Sequence, residues 1–144
     1  MNKLDELFAP VGALMLRLAL GSMWLSHAML KWSLFTLPGF ATWLETQGLS
    51  ALFAWPVFLL ELIGGLLIIM GVFGRYVSII LLPVLLVATW THASNGWVFT
   101  NQGGGWEYPV FLIIASLAHV LIGDGAYAMK PYSKSRLKNA NANA

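Results

Sequence analysis

The sequence predicts an all-α integral membrane protein, a four-helix bundle with a short interfacial helix between its first and second spans. Of its 144 residues, 58% are hydrophobic and only 10% are charged, and the mean hydropathy is +0.73. Because soluble domains are about a quarter charged, this composition excludes an ordinary soluble domain, and it also excludes a disordered chain. The chain has no cysteine, which excludes disulfides, thiolate catalysis and thiolate-bound metals.

Four apolar segments approach the ~20 residues that a membrane span needs. They cover about 10–30, 51–70, 76–93 and 106–122. Only Gly71 to Arg75 separates the second segment from the third, which predicts a tight helical hairpin. We expect residues 1–130 to form one four-span domain, followed by a basic, disordered tail over 131–144.

The basic residues predict the orientation of the chain. If both termini are cytoplasmic, that side carries Lys3, Arg75, Lys130, Lys134, Arg136 and Lys138, and the opposite side carries Lys31 alone. Since cytoplasmic loops are enriched in Lys and Arg, we predict a multi-pass protein of the bacterial inner membrane. These residues are too few and too local for a nucleic-acid surface. The expected partners are the lipid bilayer and other membrane subunits or further copies of the chain.

The two outer connections are predicted to be structured. Phe40, Trp43 and Leu44 recur at helical spacing after Pro38-Gly39, which indicates a short helix lying in the membrane interface. The second connection contains Gly103-Gly104-Gly105, which allows either close backbone approach or a flexible lid. The seven Trp residues lie in or near the outer side. An aromatic belt explains this, but the excess on one side also favours an outer face that binds something.

Two charged residues lie at membrane depth within the spans. Arg17 is in the first and Glu61 in the second, and such charges normally face the bundle interior and pair. Counted from the ends of the apolar segments, their depths differ by about 5 Å, which predicts an Arg17–Glu61 ion pair. This pair either locks the two helices together or contacts a proton or substrate. Trp24 and Lys31 share the helix face of Arg17, and the nearby Gly21 and Gly65 favour close helix packing.

A second group of ionisable residues lies toward the outer side. His27, His92 and Glu107 occupy one level on three different spans, whereas His119 points in another direction. Two imidazoles and a carboxylate are suited to a divalent metal, or to a carbonyl ligand such as a quinone. The expected walls of this pocket are Trp24, Trp90 or Trp106. In the alternative, each residue lies separately among the headgroups, and a haem is the least favoured cofactor.

Several motifs resemble the DoxX family of small membrane proteins. They are Phe40 to Leu44 with Gly48-Leu49, Glu61-Leu62-Ile63-Gly64-Gly65, Gly71 to Arg75, the segments 103–109 and 123–127, and Arg17, Gly21 and Lys31. Glu-x-x-Gly-Gly followed by Gly-x-x-x-Arg is the most specific combination. The resemblance covers roughly Val11 to Met129.

The resemblance implies a four-helix membrane bundle and a link to redox complexes, since the family takes its name from a subunit linked to thiosulfate:quinone oxidoreduction. We therefore expect a component of a membrane oxidoreductase system that binds a quinone or similar lipid-soluble ligand in the bundle. Without a cysteine pair or a nucleotide motif, a bound ligand, a metal or a partner must carry the electrons. The alternatives are a metal-handling protein that uses His27, His92 and Glu107, and a non-catalytic accessory subunit or chaperone.

Overall fold

A computed structural model of the chain describes residues 3–129 and is all-helical, as predicted. Its five α-helices are α1 (Lys3–Met29), α2 (Leu37–Thr46), α3 (Ala54–Met70), α4 (Gly74–His92) and α5 (Glu107–Ile122). A π-helical turn, Leu30–Leu34, continues α1, and short 3₁₀ turns, Ala51–Phe53 and Ala93–Asn95, precede α3 and follow α4. The predicted tail over 131–144 lies outside the described residues.

The four long helices form a bundle in which α1 and α4 each pack against both α3 and α5. Among residues 3–129, three segments are long and apolar enough to cross a membrane, namely Glu6–Leu34, Ala51–Met70 and Gly74–Asn95. With 16 residues, α5 is shorter. At ~1.5 Å per residue it is about 24 Å long, against the ~30 Å of a hydrocarbon core. The segment predicted as the fourth span is therefore a shorter apolar helix, which completes the bundle.

The centre of the bundle is apolar. Its buried side chains are Leu20, Trp24, Ile68, Leu81, Leu85 and Leu112. Helices α1 and α3 meet where Gly21 faces Gly65, since a Cβ built on Gly65 would lie 3.0 Å from the carbonyl oxygen of Gly21. Small residues allow membrane helices to pack this closely. This contact sets the position of α1 along α3.

The tight hairpin predicted between the second and third spans is confirmed. Gly71 ends α3 in the left-handed conformation, with φ 65°, which is typical of a glycine C-cap. The Arg75 guanidinium donates to the carbonyl oxygens of Leu121 and Ile122 at 3.3 and 3.2 Å. These bonds satisfy carbonyl groups that the end of α5 leaves unpaired.

The predicted interfacial helix is present as α2, but it begins at Leu37 rather than after Pro38-Gly39. Proline is tolerated in a first helical turn, where its missing N–H would have no partner. The hydroxyl oxygen of Thr36 caps the turn by accepting from the Gly39 N–H at 3.2 Å. The buried residues of α2 are Leu37, Phe40 and Leu44. Since α2 packs against α3 and the π-helical turn, it covers this end of the bundle.

The glycine-rich connection between α4 and α5 is tied together by hydrogen bonds. The Asn95 amide donates to the carbonyl oxygens of Gly103 and Gly104 at 3.1 and 2.8 Å. A Cβ built on Gly105 would collide with the carbonyl oxygen of Trp97. Of the two roles considered for the glycines, close backbone approach is the one found.

Candidate functional site

Lys31 and Glu61 form a buried ion pair between the π-helical turn and α3. The Lys31 Nζ donates to both carboxylate oxygens of Glu61, at 2.7 and 2.9 Å. The side chains of Lys31 and Glu61 are only 12% and 3% exposed. Phe40 of α2 lies 5.1 Å from Nζ, measured to its ring centroid, which is a cation–π contact. We call this the Lys31–Glu61 site, and this end of the bundle the Lys31 end.

The predicted Arg17–Glu61 ion pair is wrong, although both residues are buried as expected. Because Gly21 faces Gly65, Glu61 is level with position 25 of α1. From that level Lys31 is about 9 Å along the helix axis and Arg17 about 12 Å in the other direction. Side chains also lean toward the N-terminus of their own helix. This lean brings Lys31 and Glu61 together and carries the head of Arg17 away.

The two histidines predicted at the Lys31 end have separate surroundings. Nδ1 of each ring faces the carbonyl oxygen four residues earlier on its own helix, at 3.0 Å for His27 and 2.7 Å for His92. Because a carbonyl only accepts, Nδ1 carries the proton and Nε2 of the neutral ring is an acceptor. His27 stacks on Tyr108 with ring centroids 5.9 Å apart, whereas the His92 ring is 6.5 Å from that of Trp43.

The third predicted ligand, Glu107, is bound to a loop. Its carboxylate accepts from the backbone N–H of Phe99 at 3.3 Å, and it lies in the first turn of α5, where a negative charge is favourable. Within residues 3–129, no group of three His, Asp or Glu side chains is placed to hold a metal ion. The predicted metal site of His27, His92 and Glu107 is therefore not formed by the described residues.

The tryptophans expected to wall an outer pocket lie in three different environments. Trp24 is 1% exposed and belongs to the core, because it follows the inward face of α1. Trp90 is 61% exposed, since it is nine residues from the buried Leu81 and thus about 180° away around α4. Trp106 packs edge-on against Trp97, with ring centroids 4.4 Å apart.

A second polar network, which we call the Arg17 network, lies at the opposite end of the bundle. Contacts join Arg17 of α1, Ser78 of α4, His119 of α5 and Asp124 after α5, and we include Ser116 because it lies one helical turn before His119; all five are buried. The Arg17 Nη1 donates to the main-chain carbonyl oxygen of Asp124 at 2.7 Å. Nε2 of His119 lies 3.4 Å from Oδ1 of Asp124, and its Nδ1 lies 2.8 Å from Oγ of Ser78.

Glycines make the room for this network. A Cβ on Gly74, the first residue of α4, would collide with Oδ1 of Asp124 and lie 2.9 Å from Cε1 of His119. A Cβ on Gly71 would collide with Nη1 of Arg17. The Gly-x-x-x-Arg motif therefore permits the carboxylate and the guanidinium to approach the α3–α4 turn.

Sequence reasoning missed four members of the Arg17 network, namely Ser78, Ser116, His119 and Asp124. Ser116 and His119 are three residues apart and therefore share a face of α5, which is a polar face on an otherwise apolar helix. Asp124, between two glycines, directly follows that helix. These signals are visible in the sequence, but they point to one site only once α5 is known to pack against both α1 and α4.

Comparison with known proteins agrees with the motifs. A family model described as DoxX matches residues 12–94, which is more than half of the chain and includes Arg17, Lys31, Glu61 and Ser78. A curated relative from Bacillus subtilis (strain 168), named "Putative oxidoreductase CatD", is 27% identical over 144 residues, with 100% of each chain covered. No solved structure matches the chain. The chain is a membrane protein that belongs to the DoxX family.

Proposed function

We propose that the chain is a component of a membrane oxidoreductase system and binds a quinone, or a similar lipid-soluble ligand, at the Lys31–Glu61 site. The observation that carries the proposal is the buried ion pair, in which Lys31 contacts both oxygens of Glu61. Burying two charges is often no better than apolar packing, and ionisable residues within membrane spans are typical of functional sites. The oxidoreductase name of the Bacillus subtilis relative supports the redox part.

The chemistry of the site suits a quinone head group. Quinone oxygens accept hydrogen bonds, and an ammonium has three N–H donors. Glu61 takes two donors of Lys31, which leaves the third for a ligand oxygen. Phe40 lies beside Lys31 and stacks on Trp43 with centroids 5.8 Å apart, so the two rings offer flat apolar surfaces to a ligand. Lys31 also lies in a π-helical turn, a feature that is frequent at functional sites.

Reduction of a bound quinone to a quinol takes up two electrons and two protons. Glu61 is the carboxyl group that would exchange a proton with a ligand held at Lys31. Because the chain contains no cysteine, the electrons come from a redox partner in this proposal. We assign the Lys31 end to the outer side of a bacterial inner membrane. Cytoplasmic loops are enriched in Lys and Arg, and Lys31 is the only such residue that the sequence predicts on this side.

The binding proposal is tested with a short-chain quinone added to the purified chain in lipid nanodiscs, followed by quenching of Trp fluorescence. We expect saturable quenching in the wild type. The double variant Lys31→Met/Glu61→Met, which leaves no charge unpaired, should bind at least about tenfold more weakly, a loss of ~1.4 kcal/mol. Glu45→Gln, on the exposed face of α2, is the matched control and should bind normally. Equal affinity of the double variant would overturn the proposal.

A further inference from the structure

The Arg17 network contains buried polar atoms that have no hydrogen-bond partner among the described residues. They are Nε of Arg17, Oγ of Ser116, Nε2 of His119 and both carboxylate oxygens of Asp124. The four residues are at most 4% exposed, and they bring donors and acceptors together. Buried groups of this kind in native proteins are generally satisfied by ordered water. The network therefore has the composition of a hydrated site.

The Asp124 carboxylate makes no hydrogen bond to Arg17 and faces His119 instead. Arg17 is held by the main-chain carbonyl oxygen of Asp124, at 2.7 Å, and makes no hydrogen bond to the carboxylate. Oδ1 of that carboxylate lies 3.4 Å from Nε2 of His119. A carboxylate in this position neutralises the charge that an imidazole gains when it binds a proton.

The groups that face the two ring nitrogens of His119 suit the form that carries two protons. The Ser78 hydroxyl, 2.8 Å from Nδ1, can donate or accept. When only Nδ1 carries a proton, the ring donates to Ser78 and the Nε2 lone pair faces the Asp124 side. When both nitrogens carry protons, the ring donates in both directions. His119 can thus bind a second proton without losing a partner.

We propose that the Arg17 network is a hydrated proton-binding site, in which Nε2 of His119 takes up one proton that reaches it through water bridging Asp124, Ser116 and Arg17. The new bond is N–H at Nε2, a hydronium ion gives up the proton and becomes water, and no electron moves. Burial and the guanidinium groups of Arg17 of α1 and Arg75 of α4 oppose the positive charge on His119, whereas Asp124 favours it. The site lies at the opposite end from Lys31–Glu61 and does not depend on the ligand proposed there.

The test is nuclear magnetic resonance of the full chain in lipid nanodiscs, with isotope-labelled histidine that reports the protons on each ring nitrogen. His119→Gln identifies the His119 signals, and His27 and His92 serve as internal references. Between about pH 9 and pH 5, wild-type His119 should change from the one-proton to the two-proton form, and its ring proton should exchange with water. Asp124→Asn should lose the two-proton form over that range. Glu45→Gln, the matched carboxylate-to-amide control, should leave the His119 signals unchanged.

The wild-type spectrum can overturn the proposal without any variant. A His119 ring that keeps one protonation form across the range, or whose ring proton does not exchange with water, would make the network a dry structural contact. If the folded Asp124→Asn variant keeps the two-proton form of His119, the carboxylate is not needed for proton binding. If that variant does not fold, the wild-type titration and water exchange decide the question alone.

Discussion

Gly21 and Gly65 bring the backbones of α1 and α3 into contact, because a Cβ on Gly65 would lie 3.0 Å from the Gly21 carbonyl oxygen. This contact fixes how far α1 is displaced along α3. It brings Lys31 into contact with Glu61 at one end of the bundle. At the other end, it places Arg17 within hydrogen-bond distance of Asp124. Two separate polar sites therefore follow from one close contact between glycines.

Gly21→Ala is expected to destabilise the bundle. The added Cβ would lie 2.9 Å from the Gly65 carbonyl oxygen and would collide with Ile69, and overpacking of this kind costs about 1–3 kcal/mol. Thermal unfolding in detergent measures the effect. Gly12→Ala is the matched control on the same helix, since nothing lies within 4 Å of its Cβ position, and it should unfold at or above the wild-type temperature. Equal melting of the two variants would contradict the proposed register.

Removal of one partner of the Lys31–Glu61 pair is expected to be costly. Glu61→Ala leaves the buried Lys31 ammonium unpaired, which typically costs about 3–5 kcal/mol. Glu61→Gln should lose less, because the amide oxygen still accepts a hydrogen bond. Lys31→Met/Glu61→Met should recover most of the lost stability, since apolar residues replace both charges. Unfolding curves in detergent that rank the double variant below Glu61→Ala would refute a buried pair.

Gly74→Ala is expected to disturb the Arg17 network more than the Lys31 end. The added methyl group would occupy the space of the Asp124 carboxylate, so His119 and Asp124 must separate. We expect a loss of about 1–3 kcal/mol in unfolding free energy and displaced His119 signals in the labelled chain. Quinone quenching should persist in the folded variant. Normal His119 signals in Gly74→Ala would show that the close approach is not required.

The proposed orientation can be tested with single cysteines, because the chain has none of its own. Glu45 lies on the exposed face of α2 at the Lys31 end, and Met129, at the Arg17 end, is 70% exposed. Each is replaced by cysteine in a separate variant. With a maleimide that does not cross membranes, added to intact cells, Glu45→Cys should be labelled and Met129→Cys should not. Lysed cells, in which both should react, are the control. The reverse labelling pattern would invert the orientation.

Much of the architecture follows from local sequence signals. Gly71 to Arg75 is too short for anything but a tight turn, and the helical spacing of Phe40 and Leu44 correctly predicts α2. The cost of burying charge in an apolar environment also predicts that Arg17 and Glu61 face the interior. Each of these inferences needs only one segment of the chain and one physical rule.

The partners of the charged residues do not follow from local signals. The apolar segments have imprecise ends, so depths counted from them cannot separate Lys31 from Arg17 as the partner of Glu61. The Gly21–Gly65 contact and the π-helical turn decide between them, and both are properties of the packed bundle. His119 and Ser78 are 41 residues apart in the sequence and meet only because α4 packs on α5.

The most direct test of the central claim is photo-crosslinking with a short-chain quinone that carries a photoreactive group, followed by mass spectrometry of the labelled peptides. We predict crosslinks to the π-helical turn, to Phe40 or Trp43 of α2, or to α3 next to Glu61. These crosslinks should be competed by excess unlabelled quinone and lost in Lys31→Met/Glu61→Met. Competed labelling confined to the Arg17 end, or labelling that persists in the double variant, would contradict a quinone site at Lys31 and Glu61.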